Sequence, residues 1–196
     1  YANDFEAFCR ANPKPCPLIA RLGAGQTDCP EYALDLDIRT DLSSYDIVRH
    51  GEVTEQLTDI VDLFDDRMVT FLIGSSVSFD GLLAKRGYPA AFGPTIQLTD
   101  TACKPVGPFV GNMAVTIRSF EPELVDAVWE FTSHFPGCHG SPIGKNNAAE
   151  LGISDPNVNM NGDRFEVPEG TDRLYWACGI TPRIVAEQAR LPFMIS

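Results

Sequence analysis

Residues 68–78 read Met-Val-Thr-Phe-Leu-Ile-Gly-Ser-Ser-Val-Ser. The first six are apolar or β-branched and run to Gly74 without a polar/apolar alternation. Such a run predicts a strand covered on both faces, as in a parallel sheet. A serine-rich turn follows, and Phe79 to Arg86 returns to helical spacing that stops at Gly87. Strand, polar turn and helix in that order place polar groups at the carboxyl end of a strand.

A second unit of this kind lies near the end of the chain. Arg173-Leu-Tyr-Trp-Ala-Cys178 reads as a strand ended by Gly179. Thr181 and Pro182 then open a helix, with Thr181 expected at the N-cap and Pro182 in the first turn. Between the two units, Ala90–Leu98 and Asn112–Phe120 read as strands, and Glu121–Phe135 as an amphipathic helix. The expected fold class is therefore α/β, a mixed-sheet core with helices and an inserted smaller α+β domain. Residues 1–87 and 137–196 would form the discontinuous core, and 88–136 the insert.

The remaining segments give weaker signals. Residues 3–11 suggest a short helix capped by Asn3, and Pro13, Pro15 and Pro17 enforce an extended stretch after it. Residues 35–42 alternate weakly, as a strand would. Tyr45–His50 and Glu52-Val53 suggest two strands joined by a turn at Gly51. Residues 58–64 read as a capped helix, residues 164–167 as a strand, and Phe193–Ile195 as one more.

The chain has 196 residues, enough for one substantial core, and a net charge of −12 from 27 acidic and 15 basic side chains. That charge argues against nucleic acid, whose phosphates need a basic footprint. No run is long and apolar enough for a membrane helix. The opening YANDFEAF has neither a basic nor an apolar signal region. The expectation is a cytoplasmic protein, or one of the mitochondrial matrix if a transit segment precedes Tyr1. Its partner would be a small-molecule carboxylate, with no nucleic acid and no membrane, and a homo-oligomer is allowed. Six cysteines, with no CxxC, suggest reduced thiols; a Cys9–Cys16 or Cys16–Cys29 bridge is the alternative.

Four groups of residues stand out as sites. Cys138 and His139 sit in Phe135-Pro-Gly-Cys-His-Gly-Ser-Pro-Ile-Gly144, a loop that cannot be helix interior or central strand. His139 titrates near neutrality and is the candidate acid/base, against the plainer reading of a loop histidine bonded to a carbonyl. In a strand, Asp37, Arg39 and Asp41 would share a face, as an ion pair or as an anion fork. Ser75, Ser76 and Ser78 follow a strand end, where they would hold an oxyanion or merely cap a helix. Cys103-Lys104 and the Cys178–Pro182 turn form the fourth group, with Cys178 at a helix start that would favour a thiolate. The three histidines lack metal-ligand spacing, so no metal site and no cofactor is predicted, with a divalent metal left open.

Several strings together resemble the D-glutamate cyclase family of hydro-lyases. They are FCRANPKPCPL, DIRTDLSSYDIVRHGE, TDIVDLFDDRMVTFLIGSSVSFDGLL, ACKPVGPFVGNMAVTIRSF, TSHFPGCHGSPI and YWACGITP. The resemblance spans nearly the whole chain in the same order. It implies a two-domain α/β architecture and loss of water from a small amino-dicarboxylate, D-glutamate giving 5-oxo-D-proline. The alternatives are a hydratase or dehydratase of another small carboxylate, and a carboxylate-binding protein without turnover. The family-like polar positions are Asp37, Arg39, Thr40, Asp41, Ser76, Ser78, Cys103, Lys104, His139, Cys178 and Thr181. Of these, His139, Ser76, Ser78 and Cys178 are expected to be catalytic, and the others to bind substrate. Ser75 stands where the family commonly has cysteine, and Lys104 where arginine is frequent. The resemblance also implies segments before Tyr1 and after Ser196.

Overall fold

A computed structural model describes residues 1–196. The chain opens with helix α1 (Ala2–Ala11), whose Phe8 and Cys9 face inward. Strand β1 (Leu18–Arg21) leaves the proline stretch and pairs antiparallel with β4 (Phe71–Ile73). The run 68–73, expected as a parallel strand covered on both faces, therefore supplies a three-residue strand of a two-stranded sheet, and its residues are only half-buried. Composition alone cannot separate a buried strand from a short one packed under loops.

Strands β2 (Tyr45–Arg49) and β3 (Glu52–Leu57) form a hairpin, and β9 (Met194–Ile195) adds to the free edge of β2. The two-residue turn His50-Gly51 has positive φ at both positions (52° and 84°), the backbone that matches the twist of a tight hairpin.

The main sheet is β5 (Phe92–Ala102), β6 (Asn112–Phe120), β8 (Asp172–Ala177) and β7 (Gly144–Lys145), in that order and antiparallel throughout. Two-face burial belongs to β6, where every residue after Asn112 is buried. Val115, Ile117, Tyr175 and Ala177 face one cluster with Phe8, Phe109 and Val185. Phe120, Leu174 and Trp176 face the opposite cluster with Phe79, Leu83 and Val128. Helices α1 and α4 (Ile180–Gln188) thus contribute to one core, and α2 (Asp80–Lys85) and α3 (Val125–Ser133) to the other. The fold is a mixed α/β arrangement with four helices and three sheets. Residues 88–136 supply β5, β6 and α3, and β6 hydrogen-bonds directly to β8.

Some local expectations are corrected. Residues 58–64 make a single turn rather than a helix: Asp59 Oδ1 accepts from Val61 N–H, and Leu63 and Phe64 bond back to Ile60. Residues 35–42 are turns, because the Asp37 carboxylate captures the Arg39 N–H, which a strand ladder would need. Residues 164–167 make one isolated bridge, Val158 to Arg164. Asn3 lies inside α1, whose N-cap is Tyr1. Thr181 also lies inside α4, after the N-cap Gly179, because its hydroxyl is engaged by β6.

Candidate functional site

The segment from Asn12 to Pro17 organises the site. Its prolines predict an extended stretch, but it folds into a turn closed by Cys16 N–H donating to the Asn12 carbonyl (3.0 Å), and its other polar groups reach distant segments. Asn12 grips residue 104 twice: Lys104 N–H donates to Asn12 Oδ1 (2.8 Å), and Asn12 Nδ2 donates to the Lys104 carbonyl (2.9 Å). The Lys14 carbonyl lies 2.8 Å from His139 Nδ1, and Lys14 Nζ donates to the Ser141 carbonyl (2.6 Å). The Pro17 carbonyl accepts from Gly74 N–H (2.9 Å).

Three turns meet on this clamp. A Cβ at Gly74 would overlap the Gly137 carbonyl oxygen, so the serine turn and the 135–144 loop touch backbone to backbone. A Cβ at Gly179 would stand 3.1 Å from the Gly74 carbonyl oxygen and 3.4 Å from His139 Nε2. The sequence signals around Gly74, His139 and Gly179, far apart in the chain, thus converge at one point.

His139 is only 1 % exposed and adopts a left-handed φ of 75°. Its Nδ1 faces a carbonyl, which requires a proton there, so the neutral ring carries its lone pair on Nε2. Nε2 lies beside the Gly74 carbonyl outside hydrogen-bond geometry and has no partner. Burial pushes the imidazole below its ordinary value, with the charges of Lys14 and Arg118 acting the same way. Burial likewise lowers the Lys14 ammonium. The His139 ring is therefore neutral and oriented at pH 7.

Ser76 is buried, and both terminal nitrogens of Arg118 donate to its Oγ at 3.3 Å. Arg118 comes from the middle of β6 and is 1 % exposed. It pairs with Asp80 through Nε (2.7 Å) and Nη2 (3.0 Å). Its guanidinium carbon lies 5.4 Å from the ring centres of both Phe79 and Trp176, which fixes its plane. Ser75 caps the short turn Ser76–Phe79, its Oγ accepting from Val77 N–H, and Ser78 is exposed.

The other expected residues are placed as follows. Cys178 is buried beside Gly179, and its N–H donates to the Ala114 carbonyl. Thr181 Oγ1 accepts from Ala114 N–H (3.0 Å) and faces the Ala114 carbonyl (3.4 Å), so it fastens α4 to β6. Cys103 is buried in the larger core with Cys9 and Cys16, and Lys104 is exposed. All six cysteines are free. The hydrogen bond to Cys9, followed by burial, pushes the Cys16 thiol far up.

Asp37, Arg39, Thr40 and Asp41 stand on a separate turn. Arg39 is held by Asp37 at 2.7 Å, and its side-chain and backbone hydrogen bonds hold the Asp37 carboxyl down at about 2. Asp41 accepts from the Asp37 N–H and from the Thr40 hydroxyl. Leu36, Ile38 and Leu42 of this turn line a cavity of about 720 Å³, which also touches Gly179. The cavity therefore links the Arg39 turn to the Gly179 side of the convergence point.

Asn12, Lys14, Asp80 and Arg118 escaped the sequence reading. A lysine between two prolines was a visible signal for Lys14. Arg118 had one as well: an arginine inside an apolar strand, which needs a partner when buried.

Comparison with known proteins places the chain in a family. Residues 69–196 match the D-glutamate cyclase family. A Bradyrhizobium sp. (strain ORS 278) protein named "Putative hydro-lyase" is 40% identical over the whole chain, which covers 74% of its length. A protein of the same name from Jannaschia sp. (strain CCS1) is 38% identical, with 76% of its length covered.

Proposed function

Because the chain belongs to the D-glutamate cyclase family, we propose that it is a hydro-lyase that closes D-glutamate to 5-oxo-D-proline. Family membership supports a lyase-type enzyme with a small-molecule substrate. The observation that carries the finer reading is His139: buried, oriented through Nδ1 by the Lys14 carbonyl, with Nε2 unpartnered at the Gly74–Gly179 contact.

Lactam formation needs a free amine, an activated γ-carboxyl group and departure of water. His139 Nε2 takes a proton from the α-ammonium, and the amine attacks the γ-carboxyl carbon. The C–N bond forms as the C–O electron pair moves onto oxygen. His139 then returns that proton to the departing oxygen, takes the second proton from the attacking nitrogen and passes it to the same oxygen, which leaves as water. The serine turn faces the oxyanion. Arg39, on the turn whose Leu36, Ile38 and Leu42 line the cavity, is the proposed carboxylate anchor; Lys104 is a second candidate, joined to the site through Asn12. Cys178 adjoins Gly179 and is the alternative nucleophile for a thioester route.

The test is proton NMR of the purified protein with D-glutamate, with L-glutamate as control. The expected outcome is 5-oxoproline from the D form only. His139→Asn should lower the rate by about 100-fold; a near-normal rate removes His139 from the mechanism. Burial lowers the His139 value, so the base stays neutral below pH 6.5 and the rate should hold to lower pH than an ordinary histidine allows. The same shift works against the fold. As pH falls below 6.5, the unfolded chain takes up the proton before the folded one does, and stability decreases.

One observation favours a second reading. The 720 Å³ cavity is lined by apolar groups such as Phe71, Phe109, Phe193 and Met194. That lining suits a small carboxylate with an apolar body, dehydrated by the same base. A screen for loss of one water by mass distinguishes it from glutamate closure.

A further inference from the structure

We propose that Ser76 acts as a committed hydrogen-bond donor to the reacting carboxyl oxygen rather than as a nucleophile, and that Arg118 is the residue that positions it. This rests on the lactam-forming reading above.

The argument begins with the lone pairs of one oxygen. A serine hydroxyl has two acceptor positions and one donor hydrogen. At Ser76 both acceptor positions are taken by Arg118, Nη1 and Nη2 each lying 3.3 Å from Oγ. No group of the protein accepts from the Ser76 hydroxyl, although the residue is buried. An oxygen with both lone pairs engaged by a cation is a poor nucleophile. Its O–H is polarised and has one remaining use, donation to an acceptor brought by the ligand.

The surroundings fix this state. Asp80 holds the adjacent edge of the guanidinium, lying 2.7 Å from Nε and accepting from Nη2 at 3.0 Å. Phe79 and Trp176, packed against each other, both bear on it, their ring centres 5.4 Å from its central carbon. Arg118 thus has no freedom to turn away, and Ser76 has no alternative donor. Asp80 is 34 % exposed, so the buried group reaches the surface along one edge. The donor is also on the right side of the molecule. Ser76 is two residues from Gly74, His139 is two residues from Gly137, and Gly74 and Gly137 are in backbone contact. The base and the donor therefore flank one contact. As nitrogen attacks, the carboxyl oxygen gains the electron pair, and the Ser76 O–H is placed to stabilise it.

The experiment compares Ser76→Ala, Ser76→Cys and Arg118→Lys with the unaltered protein by steady-state closure of D-glutamate. The expected result is a loss of about 100- to 1,000-fold in kcat for Ser76→Ala. Ser76→Cys should be equally impaired, since a thiol donates weakly although it attacks well. Arg118→Lys should lower kcat and leave KM, whereas a merely structural arginine would alter the folded fraction and leave kcat per folded molecule unchanged. A Ser76→Cys protein with more than about a tenth of normal kcat, or a mass adduct on Ser76 after quenching, overturns the proposal. So does a Ser76→Ala protein of normal rate. If the unaltered protein forms no 5-oxoproline, the cyclase reading fails, and Ser76 is judged by calorimetric binding of glutarate. Roughly tenfold weaker binding in both the Ala and Cys variants supports the donor. Equal binding by all three proteins, or binding by none, overturns it.

Discussion

Two of the molecule's arginine–aspartate pairs, Arg39–Asp37 and Arg118–Asp80, are built in opposite ways. Arg39 and Asp37 are two residues apart on one turn, 32 % and 34 % exposed, and make their pair without help from the rest of the fold. Arg118 and Asp80 are 38 residues apart, and the arginine is 1 % exposed. The first pair shapes its own loop through the Asp37 carboxylate and the Arg39 N–H. The second exists only because β6, α2 and the serine turn have docked, and it passes its charge to a hydroxyl. A local pair lends geometry to a loop; a buried one must be satisfied from all sides and in return controls what it touches.

The contrast is broken most severely by Asp80→Ala. It leaves the Arg118 cation buried without its counter-ion and should destabilise the protein by about 3 kcal/mol, since Asp80 is partly solvated. Urea denaturation with an unchanged slope checks it, and a loss under about 1 kcal/mol would show that water replaces the carboxylate. Next in size is Gly74→Ala. Its Cβ overlaps the Gly137 carbonyl oxygen, so the two turns must part, at about 2 kcal/mol and with loss of activity. Wild-type stability would mean that the turns slide freely. The smallest effect is expected for Arg39→Ala, a melt close to that of the unaltered protein, because an exposed pair contributes little. A thermal melt shifted as far as that of Asp80→Ala would erase the distinction between the pairs.

The elements legible in the sequence were those with local causes. The hairpin around His50-Gly51, the strands β5, β6 and β8, and helix α3 follow from periodicity and turn chemistry. Gly74, His139 and Gly179 were each visible as punctuation, but their meeting was not, because nothing in spacing tells which turns touch. The 35–42 turn misled through its alternation: Asp and Thr side chains there bond neighbouring groups and compete with a ladder. The run 68–73 misled in the other direction, since its apolar character reflects packing under loops rather than a central sheet position. Arg118 was hidden inside an otherwise apolar strand, and only the fold shows what satisfies it.

The Asn12–Pro17 clamp carries a consequence for the order in which the protein assembles. Its partners lie 92, 125 and 127 positions further along the chain, at Lys104, His139 and Ser141. A ribosome makes the clamp before its partners, so the segment must wait while the intervening chain emerges. Contacts of such long range close late and slowly. His139 thus gains its orienting carbonyl among the later events of folding. A nascent or partly folded chain holds helices and hairpins before it holds any working site.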